Sequence, residues 1–129
     1  MTVSAAQKKS VLIVEDESLL RMIAVDIFED AGFKVFAAET ADEGAHILED
    51  AGQIDGVFTD IETPGMLNGV GLAKITHDLH PDAAILLVSG RTHVREADLP
   101  PRSRFIGKPY RSAQVVQALE DLLEDSRHD

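Results

Sequence analysis

A chain of 129 residues with 44% hydrophobic and 27% charged residues has the size and composition of one folded domain, which excludes disordered and fibrous classes. It has no cysteine, so disulfide frameworks, thiol nucleophiles and thiolate metal sites are excluded. The 23 acidic residues outweigh 12 basic ones for a formal charge of -11, a field that opposes phosphate backbones and anionic membranes, and neither DNA nor membrane is expected as a partner.

Residues 1–9 read as a tail, 10–123 as the domain and 124–129 as a charged second tail. No apolar signal core follows Lys8 and Lys9, and no apolar stretch approaches the roughly 18 residues of a membrane span. A cytoplasmic protein is therefore expected. Val11-Leu12-Ile13-Val14 is apolar without alternation, as in a strand covered on both faces, and it stops at Glu15-Asp16-Glu17. Ser18 to Ala31 follows as an amphipathic helix; 100° spacing puts Leu20, Ile23, Ala24, Ile27 and Ala31 on one face, with Arg21 and Glu29 opposite and Gly32 as the stop.

Phe33 to Ala38 reads as a second strand, and the capping box Thr40-Ala41-Asp42-Glu43 opens a helix to about Asp50. Asp55 to Asp60 is a third strand ending on a carboxylate, followed by a turn-rich stretch from Pro64 to Gly69. Val70 to Leu79 predicts a third helix, Ala83 to Val88 a fourth strand ending at Ser89-Gly90, and Arg104 to Gly107 a weaker fifth ending at Lys108-Pro109. A last helix runs from Ser112 to about Leu123, with Val115, Val116, Leu119, Leu122 and Leu123 on one face. Strands alternating with helices imply an α/β, doubly wound, five-stranded parallel sheet of flavodoxin-like order 2-1-3-4-5.

In such a sheet the ligand crevice lies beyond the carboxyl ends of the strands, where the winding reverses. Glu15 and Asp16, Asp60, Ser89 and Lys108 all stand at strand ends, and the expected order brings the three acids together. Carboxylates crowded in this way need a cation or protons. An oxygen-only site suits Mg2+, Lys108 adds a point charge, and Ser89 adds a hydroxyl donor. These are the parts of a phosphoryl-transfer site with a carboxylate nucleophile.

Val11-Leu12-Ile13-Val14-Glu15-Asp16, Val57-Phe58-Thr59-Asp60-Ile61 with Pro64-Gly65 and Gly69, Leu87-Val88-Ser89-Gly90, and Phe105-Ile106-Gly107-Lys108-Pro109-Tyr110 together resemble a receiver domain of bacterial two-component response regulators, over about Ser10 to Leu123. The resemblance implies a signalling protein rather than an enzyme acting on a substrate. Asp60 would accept a phosphoryl group from a phosphohistidine of a sensor histidine kinase or histidine phosphotransfer protein. Asp16, Asp60 and the backbone carbonyl of Glu62 would hold Mg2+, with Glu15 acting through a water. Lys108 would contact the phosphoryl group, with a cis bond to Pro109. Ser89 and Phe105 would be the switch residues, and Glu62 with Arg91 would tune dephosphorylation. The family further implies a docking role for the first helix, through Leu19, Met22 and Val25. With no output domain expected, signalling would pass through another protein or a phosphorelay.

Two features depart from the family pattern. The stretch from Asp60 to Gly69 is one residue longer around Met66-Leu67-Asn68, with Thr63 in place of the usual methionine before Pro64. Between Ser89 and Lys108, Leu99-Pro100-Pro101 leaves room for only a shortened or irregular fourth helix, nonstandard or more mobile. Two other readings compete: a phosphatase similar to haloacid dehalogenases, from Asp60-Ile61-Glu62-Thr63, and a pseudo-receiver that binds without being phosphorylated. His46, His77, His80, His93 and His128 read as surface residues.

Overall fold

The computed structural model describes residues 8–126, with side chains through Glu124. Of the expected tails 1–9 and 124–129, residues 1–7 and 127–129, with His128, lie outside these residues. Within them run β1 (Ser10–Val14), α1 (Ser18–Asp30), β2 (Lys34–Ala38), α2 (Ala41–Asp50), β3 (Gly56–Asp60), α3 (Gly69–Leu79), β4 (Ala84–Ser89), β5 (Ser103–Gly107) and α4 (Ser112–Ser126). The strands form one parallel sheet in the order β2-β1-β3-β4-β5, as the alternating pattern predicts.

Both faces of the sheet are covered, which is why the central strands are apolar without alternation. Val11, Ile13, Phe58 and Leu86 pack with Ala24 and Phe28 of α1 and Val115 and Leu119 of α4. On the other face Leu12, Val14 and Val57 pack with Leu48 of α2 and Leu72 of α3. Thr40 caps α2 by accepting the Glu43 amide at 3.1 Å, the capping box expected there. Asn68 caps α3 by accepting the Gly71 amide at 3.0 Å, so that helix begins one residue before the expected Val70. Helix α4 runs three residues past its expected end, to Ser126.

The face expected for α1 needs correction. Its buried residues are Ala24 and Phe28, while Leu20 and Ile23 are exposed and Ala31 is solvent-facing. Ile27 is partly buried against the core as expected, but Phe28 is fully buried and meets Phe33 and Phe58 at ring distances of 5.7 and 5.4 Å, so the aromatic cluster, and not Leu20, Ile23 and Ala31, sets how the helix is rolled.

Between β4 and β5 no α-helix forms among the described residues; the segment holds one 3-10 turn, Glu96–Asp98. Leu99 anchors it against Ile85 and Leu87, and Arg102 takes a positive φ of 66° before β5 starts. The prolines at 100 and 101 lack the amide protons that a helix would require.

Candidate functional site

The parallel register lines up the strand ends. Val14 pairs with Thr59, Asp60 with Val88 and Ser89 with Gly107, so Glu15, Asp60, Ser89 and Lys108 all emerge at one edge within about a residue of each other. Glu15, Asp60 and Ser89 are buried. The Lys108 ammonium donates to Asp60 Oδ2 at 2.5 Å and stands 3.8 Å from Glu15 Oε1. The Glu62 amide donates to Asp60 Oδ1 at 3.1 Å, so both carboxylate oxygens are oriented while each keeps lone-pair capacity for a further partner.

The acidic turn after β1 is fixed by its own backbone. The Glu17 amide donates to Glu15 Oε2 at 3.1 Å, and Arg21 Nη1 donates to the Glu15 carbonyl at 2.9 Å. Arg21, assigned to the solvent side from periodicity, is half-buried in this role. Burial raises the Glu15 pKa above its usual range, and the neighbouring Asp16 side chain and the charge of Asp60 add to this; the Glu17 amide and Lys108 oppose it. Burial lowers the Lys108 pKa, but its hydrogen bond to Asp60 and the charges of Asp60 and Glu15 prevail, leaving it above the ordinary lysine range.

Asp16 is exposed at the rim. Among the described residues no group of three acidic or histidine side chains already converges as a metal cage would require. A rim carboxylate, the buried Asp60 and open solvent nonetheless suit Mg2+, which keeps several waters and takes one or two carboxylates with phosphate oxygens. Glu15 and Asp60 bring two formal negative charges against the single positive charge of Lys108, and a divalent cation fits this excess of negative charge.

Ser89 makes a dense set of bonds. Its hydroxyl donates to the Glu62 carboxylate, at 2.7 and 2.6 Å from the two oxygens, and accepts the amides of Arg91 and Thr92 at 3.1 and 2.8 Å. Partial burial raises the Glu62 carboxyl pKa, but hydrogen bonds from Ser89 and Thr92 and the charges of Arg91 and Lys108 carry it below the usual range. Phe105 is half-buried on β5, its amide donates to Glu96 Oε2 at 3.0 Å, and the His93 ring meets it edge-on at 5.3 Å. The peptide bond between Lys108 and Pro109 is cis.

Of the three candidate docking residues, Leu19 and Met22 are exposed on α1. Val25 is partly buried against the core and does not belong to that surface. Leu20 and Ile23 do, and with Pro109 and Tyr110 they line a shallow apolar depression. His80 also departs from expectation: it is half-buried, with Nε2 2.9 Å from the Leu48 carbonyl.

Sequence reasoning missed Asp42. It stands in the first turn of α2, and its Oδ2 accepts the Met66 amide at 3.2 Å, fastening the loop after Asp60. Nothing local marks this bond, which joins residues far apart in the chain; Met66, at the loop tip, is 98% exposed.

This arrangement of acids, hydroxyl and lysine on a 2-1-3-4-5 parallel sheet defines a receiver fold, and comparison with known proteins agrees. The chain belongs to the response regulator receiver domain family, whose pattern matches residues 11–120. It is 32% identical over 119 residues to sensor kinase CckA of Brucella abortus, covering 89% of this chain but 12% of the kinase. It is 28% identical over 118 residues to the response regulator receiver protein CpdR of the same organism, covering 89% of this chain and 97% of that one. A crystal structure of a response regulator receiver protein from Sinorhizobium medicae superposes with a TM-score of 0.87 at 29% identity, over 94% of this chain and 98% of that one. Family membership removes the haloacid-dehalogenase-like phosphatase reading. No helix among the described residues is long and apolar enough to cross a membrane.

Proposed function

We propose that Asp60 accepts a phosphoryl group from a phosphohistidine on a sensor histidine kinase or histidine phosphotransfer protein, and that the chain signals through a phosphorylation-dependent interaction or a phosphorelay. The observation that carries this reading is the Lys108 ammonium bonded to Asp60 Oδ2, beside the buried Glu15, at the edge where Ser89 emerges. An Asp60 oxygen attacks phosphorus, the phosphorus–nitrogen bond breaks, and the imidazole departs with the electron pair and takes up a proton. Lys108 stabilises charge on the phosphoryl oxygens, and the Glu62 amide holds the Asp60 carboxylate in orientation. Bound Mg2+, held by Asp16, Asp60 and the Glu62 carbonyl with Glu15 nearby, would neutralise further phosphoryl charge.

The exposed apolar residues of α1 support docking of a helical partner there. Similarity to a domain within a protein named a sensor kinase supports a histidine kinase as the donor. The test is intact mass after incubation with acetyl phosphate and Mg2+. Stoichiometric addition of one phosphoryl group to the wild type and none to Asp60→Asn is expected. An unlabelled wild type would favour the pseudo-receiver reading.

A further inference from the structure

We propose that Glu62 is a positioning residue that holds the Ser89 hydroxyl in its resting arrangement, and that the segment Arg91–His93 is released with it when a phosphoryl group forms. This rests on the reading of Asp60 as phosphoryl acceptor. A serine hydroxyl has one proton to donate. Here that proton lies against Glu62, with 2.7 and 2.6 Å to the two carboxylate oxygens. Ser89 therefore cannot donate to an oxygen on a phosphorylated Asp60 without leaving Glu62.

The same oxygen accepts the amides of Arg91 and Thr92, so moving the hydroxyl withdraws the acceptor that folds the chain back after β4. The next residue, His93, has its ring edge-on to Phe105 at 5.3 Å. A continuous set of contacts thus joins Glu62 to the aromatic face of β5: carboxylate, hydroxyl, two amides and an imidazole. Its members are exclusive in one respect, since the proton given to Glu62 is the one a phosphoryl oxygen would take.

The experiment compares wild type, Glu62→Ala, Glu62→Gln, Ser89→Ala and the Glu62→Ala/Ser89→Ala double variant in two ways. In the resting protein, without donor or metal, amide exchange at Arg91 and Thr92 and the ring-current shift of His93 are read by NMR. Glu62→Ala is expected to speed the exchange and move the His93 signal toward its free value. Glu62→Gln, which keeps an acceptor, is expected to fall between. Phosphorylation by acetyl phosphate with Mg2+ is then expected to quicken on the order of tenfold in Glu62→Ala, from loss of one charge-assisted bond, and to be unchanged by that replacement in the Ser89→Ala background. An equal acceleration in both backgrounds would show that the charge of Glu62 acts directly on the phosphoryl group, and the proposal would be overturned. Unmoved Arg91, Thr92 and His93 signals would overturn it too. Absence of labelling in every variant would reject the acceptor reading, while the resting-state spectra would still decide whether Glu62 holds Ser89.

Discussion

Glu15 and Asp60 share the Lys108 ammonium, which lies 3.8 Å from the first and 2.5 Å from the second. One cation between two buried acids fixes their geometry and leaves negative charge in excess.

The burial of Glu15 has a pH signature. Because its folded-state pKa is raised from 4.5, chiefly by burial, Glu15 binds its proton more firmly in the native chain than in the unfolded one. Native stability from this residue therefore falls as pH rises from 4.5 through the folded pKa. Glu15→Gln, which cannot ionise, is expected to melt higher than the wild type at pH 7 and to show no such gain below pH 4.5. Lys108 has the opposite consequence: its pKa is raised above 10.5, so its stabilisation is present at neutral pH and lost in strong alkali. Thermal melts across the pH range check both.

Mg2+ is expected to raise the melting temperature, because a ligand that binds the native state at a hundredfold excess over its dissociation constant contributes about 2.7 kcal/mol. Asp16→Asn should abolish most of that increment. Thr40→Ala, which removes the α2 cap, should cost about 1 kcal/mol and leave the magnesium increment intact. Calorimetry with and without the metal separates the two effects.

At Gly65 the backbone takes φ +106°, a left-handed conformation that disfavours side chains, and an added Cβ would collide with Asp42 Oδ2. Gly65→Ala is expected to destabilise by about 1–2 kcal/mol in urea unfolding. Adding Asp42→Ala should relieve the collision but not the backbone strain.

Leu19→Glu and Met22→Glu are expected to slow transfer from a phosphorylated kinase on the order of tenfold, the effect of losing about 1.4 kcal/mol at an interface, with little change in labelling by acetyl phosphate. Val25→Glu should behave differently, because that side chain packs on the core: a charge there is expected to lower stability by roughly 1–3 kcal/mol and to impair both reactions together. Parallel kinase and small-donor assays with melting curves distinguish the cases.

The strands were legible because the sheet is buried on both faces, so β1, β3 and β4 are short apolar runs that end on or just before a candidate site residue. Strand order then placed Asp60 beside Glu15 without further information. Helix α1 misled for a definite reason. Its inward face carries Ala24, Phe28, Val25 and Ile27 with Arg21 at its start, and the arginine made part of that face look solvated. Arg21 sits there because its guanidinium reaches back to the Glu15 carbonyl, a bond between the helix and the preceding turn that periodicity does not encode. The pairing of Ser89 with Glu62 was likewise invisible, since it depends on how two loops at neighbouring strand ends fold over one another.

The stretch between β4 and β5 draws its order from elsewhere. An α-helix keeps its shape through its own repeating ladder, and shifting it usually means moving a rigid rod. Here the ties include a serine oxygen at one end, the Glu96 carboxylate on the Phe105 amide and the Arg102 guanidinium on the Asp82 carbonyl near the other, and a leucine sunk in the core. Such a strap has few internal bonds to break, so exchanging a single tether can redraw the surface it covers while the sheet beneath stays still.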